Sequence, residues 1–343
     1  MGVLPSIGTR LGGDWGRFLD HAAFGQGTFG ETLAEQVRFR IVRTQGATID
    51  DVRPDSAAAH QLWTAPQTGP ATRRFAEGML HLADDVSGGD APFRGFSLST
   101  SETGYVANRA VHSFRDGPAT ELRYESALLD AQRHTESTAA VRKGAWLHLD
   151  EHRSAGLLYV LHHPGATLDD LSGIQRTQLG RGVKTILHEL NHLGSPLPAA
   201  GPRFHWLAEG KAEVLARWPR RVTLAGAQLG VPTPSGVGRW FDRQQAPYQG
   251  QVDTVRGLLT LAGIDHTRPA AFGSAERMLN THAEADLPYE FAQRIARRNA
   301  PPGAHRQVIH ARVEALVASG VSSDGSHADA AKVQALAGEL GLR

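Results

Sequence analysis

The sequence predicts an α+β fold, on three observations. The stretch Phe93–Ser101, FRGFSLSTS, is short and alternating, as strands are. Leu168–Gly194 repeats apolar residues every three or four positions and ends at Gly194 and Pro196, which is the pattern and stop signal of an amphipathic helix. The last third of the chain is mostly a succession of helical patterns.

Taken in order, residues 1–30 are Gly-rich without periodicity and read as irregular. MGVLPS within them fits the short N-myristoylation pattern through Gly2 and Ser6. GETLAEQVRFRIVRT, from Gly30, reads as a helix, and Ile49–Gly69 as loop. RRFAEGMLHLADDV, from Arg73, reads as a helix with Phe75, Met79, Leu80 and Leu82 near helical spacing. SGGDAPFRG then breaks the chain. Residues 1–92 are therefore expected to form an accessory, pro-region or delivery segment, 93–300 the core, and 301–343 a helical extension.

Inside that core, FRGFSLSTS is expected to be a strand, and ETGYVANRAVHSF and ATELRYESALLDAQRH helices. AWLHLDEHRSAGLLYVLHH has two apolar runs about a polar centre and reads as a β-hairpin. Leu168–Gly194 reads as one helix, with Leu179, Val183, Ile186 and Leu190 on one stripe. Trp206–Trp218 is a second helix, stopped by Pro219. VDTVRGLLTLAGI, AERMLN, YEFAQRIARR and HRQVIHARVEALVASG continue the helical series.

Composition narrows the function. With 343 residues, 41% of them hydrophobic, the chain can bury a sizeable core. Lys and Arg number 36 against 35 Asp and Glu, so no basic excess points to nucleic acid. The absence of cysteine excludes disulfides, thiolate ligands and a cysteine nucleophile. Ala155–Leu161, the longest apolar run, is too short to span a bilayer, and the first residues lack a signal-peptide apolar core. No membrane span and no Sec-type signal are expected, and the compartment and oligomeric state stay open.

The chemistry is carried by HELNH, His188–His192. Four residues apart on a helix, the two imidazoles share a face. There they can both bind one zinc ion, at ~2.0–2.1 Å. Glu189 sits beside the first ligand and can act as general base. A catalytic zinc needs a third protein ligand and an open position. Glu209, in WLAEGKAE after sixteen intervening residues, supplies it, and Glu213 one turn on can accept a ligand N–H. The Gly/Pro-rich link 194–204 lets the helices double back. With 17 histidines in the chain, composition alone yields an HExxH about 0.04 times.

His205 and Glu213 are alternative third ligands. Tyr248 and Tyr289 are candidate donors to the oxyanion of an acyl-transfer intermediate, with His266 and His282 behind them. His148–His152 also spells the inverted motif HxxEH, which needs a helix; Trp146–Leu149 alternates as a strand, so a polar hairpin tip is expected there. Leu157–Leu161 is expected to be the strand edge that pairs with an extended substrate.

HELNH followed by WLAEGKAE resembles the gluzincin metallopeptidases, closest to the aminopeptidase-type pattern. The resemblance implies a zincin-like core, zinc held by His188, His192 and Glu209, Glu189 as base and acid, and Glu213 orienting a ligand. It implies hydrolysis of a peptide or protein substrate. It covers about 30 residues, and the Gly-Ala-Met-Glu-Asn-type exopeptidase motif of such aminopeptidases is missing. Ser195 and Pro198 stand where a metzincin would have glycine and histidine. FRGFSLSTS is similar to the Ser-Thr-Ser strand of ADP-ribosyltransferase toxins, but ELRYE, with Glu121 and Glu125, does not supply their Glu-x-Glu. A secreted effector or toxin protease with one protein target, and a non-catalytic zinc-binding module, are the alternative functions.

Overall fold

The computed structural model describes residues 35–42, 51–87, 93–101, 104–105, 108, 139–141, 146–193, 205–233, 248–268, 272–319 and 330–342. Among them are eleven α-helices and one five-stranded mixed sheet, so the protein is α+β. No helix among the described residues is long and apolar enough to cross a membrane. The chain divides into two compact units. One comprises Met1–Leu82, Pro92–Thr185 and Gly226–Thr233, and the other Ala83–Ala91, Ile186–Ala225 and Pro234–Arg343.

The first unit is built on the sheet. Its strands are β1 (Val37–Val42), β2 (Asp51–Pro54), β3 (Gly95–Leu98), β4 (Ala139–Val141) and β5 (Trp146–Leu149), in the order β2-β1-β3-β5-β4. Only the β3–β5 pair is parallel among these ladders. In β1 the sequence VRFRIV alternates, burying Val37, Phe39 and Ile41 while Arg38 and Arg40 point the other way. Phe39 stacks on Phe96 of β3 at 5.0 Å and meets Trp63 of α1 (Ala57–Thr64) at 5.8 Å. Phe75 of α2 (Gly69–Ser87) meets Phe96 edge-on at 5.8 Å. This aromatic cluster ties the helices to the sheet.

After β5 the chain turns into α3 (Glu151–His162), which opens on Asp150, whose carboxylate accepts from the Arg153 N–H at 2.8 Å. A 3-10 turn, Leu168–Asp170, precedes α4 (Gly173–Leu193). The two helices approach closely through glycines. A Cβ on Gly156 of α3 would lie 2.6 Å from Leu179 Cα, and one on Gly182 of α4 would lie 2.5 Å from the Arg153 carbonyl oxygen.

The second unit is helical. It holds the end of α4, α5 (His205–Ala216), the first part of α6 (Pro219–Leu229), α7 (Gln249–Leu261), α8 (Phe272–Asn280), α9 (Leu287–Asn299), α10 (Ala304–Ser319) and α11 (Ala330–Leu340). Trp206, Leu215, Val255, Leu259, Phe291, Ile295, Ile309 and Val313 are part of one buried cluster. Within it α5 packs along α7, α7 along α11, and α9 along α10.

Several expectations are corrected. GETLAEQVRFRIVRT is not a helix over its apolar end: residues 37–42 form β1, because Val, Phe and Ile at every second position suit a one-sided strand. Ile49–Gly69 is not loop but contains β2 and α1, the latter capped by Ser56. AWLHLDEHRSAGLLYVLHH is a strand followed by a helix, not a hairpin. Leu157–Leu161 therefore lies inside α3 and forms no substrate-pairing edge. Leu168–Gly194 is interrupted, since Ser172 and Gln175 exchange capping hydrogen bonds that start a new helix. Pro219 opens α6 rather than merely stopping α5, as suits a residue in the first helical turn. The irregular leader 1–30, the Ala119–His134 helix, most of the ETGYVANRAVHSF helix and the link 194–204 fall outside the described residues.

Candidate metal centre

His188 and His192 lie on the last turns of α4, whose stripe Leu179, Val183, Ile186 and Leu190 is completely buried. Glu209 and Glu213 lie one turn apart on α5. Gly210, directly after Glu209, is where α7 comes close: a Cβ there would sit 2.9 Å from the Gln251 carbonyl oxygen and 2.8 Å from Val255 Cγ2. The glycine of WLAEG thus serves packing, and lets the start of α7 reach the ligand face.

The three expected ligands converge. His188 Nε2 lies 3.1 Å from Glu209 Oε2, His192 Nε2 lies 3.5 Å from Glu209 Oε1, and the two Nε2 atoms are 3.2 Å apart. A tetrahedral ion with bonds of ~2.0–2.1 Å requires donors about 3.3–3.4 Å apart. The two Nε2 atoms lie near that spacing, and each faces a different oxygen of Glu209, so the carboxylate spans the imidazole pair. Among the described residues, His188, His192 and Glu209 form the one group of three or more His, Cys, Asp or Glu side chains placed to share an ion.

The outer faces of both rings are engaged by carboxylates. His188 Nδ1 is 2.8 Å from Glu213 Oε2, and His192 Nδ1 is 3.5 Å from Glu284 Oε1. That leaves both Nε2 atoms turned toward Glu209. Glu213 is held from its other side by the buried Arg217, whose Nε and Nη2 both lie 2.9 Å from Oε1. Arg217 Nη1 donates in turn to Gln249 Oε1 at the start of α7. Lys211, fully buried, has its Nζ 3.9 Å from Glu284 Oε1. Arg221 anchors the motif helix, donating to Asn191 Oδ1 at 3.1 Å and pairing with Glu276 at 2.7 Å.

Charge points the same way. Glu189, Glu209, Glu213 and Glu284 place carboxylates around the imidazoles, an environment that favours a cation, while Lys211 and Arg217 pair with Glu284 and Glu213. Burial alone would depress the His188 pKa, but hydrogen bonds to Glu209 and Glu213 and their charges raise it. Burial opposes the His192 proton too, yet Glu209, Glu284 and Glu189 carry its pKa up to about 10. Glu209, although burial works against its ionised form, is held well below the usual carboxylate range by the two histidines. Both histidine shifts run in the direction that favours positive charge at this place.

Glu189 is half-buried beside His188, near enough for its charge to act on His192 and Tyr248. Tyr248 precedes α7 in a left-handed backbone conformation, φ 69°, ψ 13°. Its ring stacks on His188, centroids 5.8 Å apart, and the Glu209 carboxylate is near enough to act on its hydroxyl. Burial and the carboxylates Glu209, Glu189 and Glu213 raise its pKa, so the phenol keeps its proton.

Other candidates lie elsewhere. Tyr289 is 48% exposed on α9, with its hydroxyl accepting from Gln293 and its ring against His310. His266 contacts Thr260, and His282 lies near Glu290. His205 is the first residue of α5. In the inverted motif, His148 is buried in β5, its Nδ1 2.8 Å from Ser97 Oγ, while His152 is exposed on α3, so its histidines share no helix face. The sequence reading missed Arg217, Lys211 and Glu284. Arg217 carries a visible signal, four residues after Glu213 on one helix. Nothing in the motif region announces Glu284. No family model, curated protein or solved structure matches the chain.

Proposed function

We propose that the chain is a zinc-dependent peptidase with a zincin-like catalytic core, acting on peptide or protein substrates. The observation that carries this reading is the convergence of His188, His192 and Glu209, whose side chains could share one ion, with Glu189 and a protonated Tyr248 beside them. Three protein donors, as found among the described residues, are the complement of a catalytic rather than a closed structural zinc. Zinc, when bound, supplies a Lewis acid that polarises a scissile carbonyl and makes water nucleophilic. Glu189 accepts the proton of the attacking water and returns it to the leaving amine. Tyr248 donates its O–H to the oxygen that gains charge as the carbonyl carbon becomes tetrahedral. Glu213 holds the Nδ1–H of His188 and fixes its tautomer.

Glu189→Gln tests the reading. The variant is expected to retain zinc at the level of the unchanged chain, while cleavage of a mixed peptide and protein substrate pool, followed by mass spectrometry, falls roughly 10²–10⁴-fold. Undiminished cleavage by the variant, or no cleavage by the zinc-loaded unchanged chain, overturns it.

A further inference from the structure

We infer that Glu284, in the turn between α8 and α9, is a positioning residue for His192, and that buried Lys211 holds its carboxylate in place. The inference rests on the metal-centre reading and extends it to residues outside both motif helices and to a lysine inside WLAEGKAE.

The two imidazoles are used in the same way. Each turns Nε2 toward Glu209 and Nδ1 toward a second carboxylate, Glu213 at 2.8 Å for His188 and Glu284 at 3.5 Å for His192. An imidazole can offer its Nε2 lone pair to a cation only if its proton sits on Nδ1, and an acceptor facing Nδ1 selects that tautomer. Glu284 is that acceptor for His192. A cation drawing on Nε2 makes the Nδ1–H a stronger donor, so a contact at the outer edge of hydrogen-bond reach tightens with the metal in place.

Glu284 and Lys211 are too buried to be an incidental surface pair: they are 6% and 0% exposed. The Glu284 oxygen nearest Lys211 Nζ is Oε1, the same atom that faces His192. Lys211 is on α5 only two residues after Glu209, so one helix supplies both a ligand and the cation that fixes the partner of another ligand. A buried ammonium without a counter-charge is costly. The lysine therefore keeps the carboxylate turned inward, and the carboxylate keeps His192 in register with His188 and Glu209.

The test uses the full chain, with zinc affinity measured by competition against a chromophoric chelator and Co²⁺ as a spectroscopic probe. Glu284→Ala is expected to weaken zinc binding roughly 10–100-fold and to shift the Co²⁺ absorption bands. Glu284→Gln keeps an acceptor oxygen, and its affinity should stay within about threefold of the unchanged chain while its metal-free melting temperature drops because a negative charge facing the buried Lys211 is removed. If Glu284→Ala does not fold, Glu284→Asp, which withdraws the carboxylate by one methylene, takes its place with the same expected direction. A purely structural Glu284 would lower melting temperature and leave affinity and Co²⁺ spectrum unchanged, and that result overturns the inference. Loss of zinc in His188→Ala with full binding in the Glu284 variants rejects the positioning role alone; an unchanged chain that binds no zinc rejects the metal centre itself.

Discussion

Arg217→Met probes the pair that backs His188. The guanidinium is 1% exposed and places two nitrogens 2.9 Å from one oxygen of Glu213, whose other oxygen engages His188. Methionine replaces most of the volume and none of the charge, so the change leaves a carboxylate buried without its cation. Breaking a buried pair in this way costs about 3–5 kcal/mol, against ~0–1 kcal/mol for an exposed pair. For a unit of this size that is a fall in melting temperature of roughly 6–20 °C in the metal-free protein. The assay is denaturant and thermal unfolding of the metal-free and zinc-loaded chain. The double variant Glu213→Gln with Arg217→Met removes both charges and should lose less stability than Arg217→Met alone. A single-variant loss below about 1 kcal/mol, or a double variant worse than the single, refutes the reasoning.

The remaining predictions concern the helix crossing and the proton balance of the site. Gly156→Ala gains up to ~1 kcal/mol of helix propensity, but its methyl meets the Leu179 backbone, so a net loss of about 1–3 kcal/mol is expected by denaturant unfolding; a stabilised variant would show that the crossing is looser than described. Because the folded site raises the His192 pKa to about 10, zinc binding there would displace its proton at neutral pH. Apparent zinc affinity should therefore rise with pH by about tenfold per unit for each proton displaced, levelling near the His192 pKa. The metal-free fold moves the opposite way: the stabilisation from charged His192 is complete below ~6.5 and is lost as pH climbs through its folded value. Chelator competition and metal-free unfolding across this range check both signs, and a pH-independent affinity would contradict them.

The candidate metal-binding group was legible because helical geometry makes spacing into direction. His188 and His192 had to share a face, and the buried stripe from Leu179 to Leu190 said which side of the helix packs. Glu209 and Glu213 were legible for the same reason. The hairpin expectation failed at AGLLYVL because a short, wholly apolar run does not distinguish a buried strand from a buried helix. The deciding feature was local, Asp150 capping the Arg153 amide. In VRFRIV the alternation was present, but the helix-forming residues before it extended the reading too far. Glu284 was out of reach, since a turn residue far along the chain meets His192 only through the packing of the helical unit. Tyr289 was a reasonable candidate by residue type alone, and it faces Gln293 and His310 instead.

The left-handed backbone of Tyr248 is followed at once by Gln249, which accepts from the same guanidinium that steadies Glu213. One guanidinium therefore meets both the segment that carries the Tyr248 ring and the carboxylate that faces His188. Tyr248, Gln249, Arg217 and Glu213 thus form one continuous path from the ring that stacks on His188 round to the carboxylate behind it.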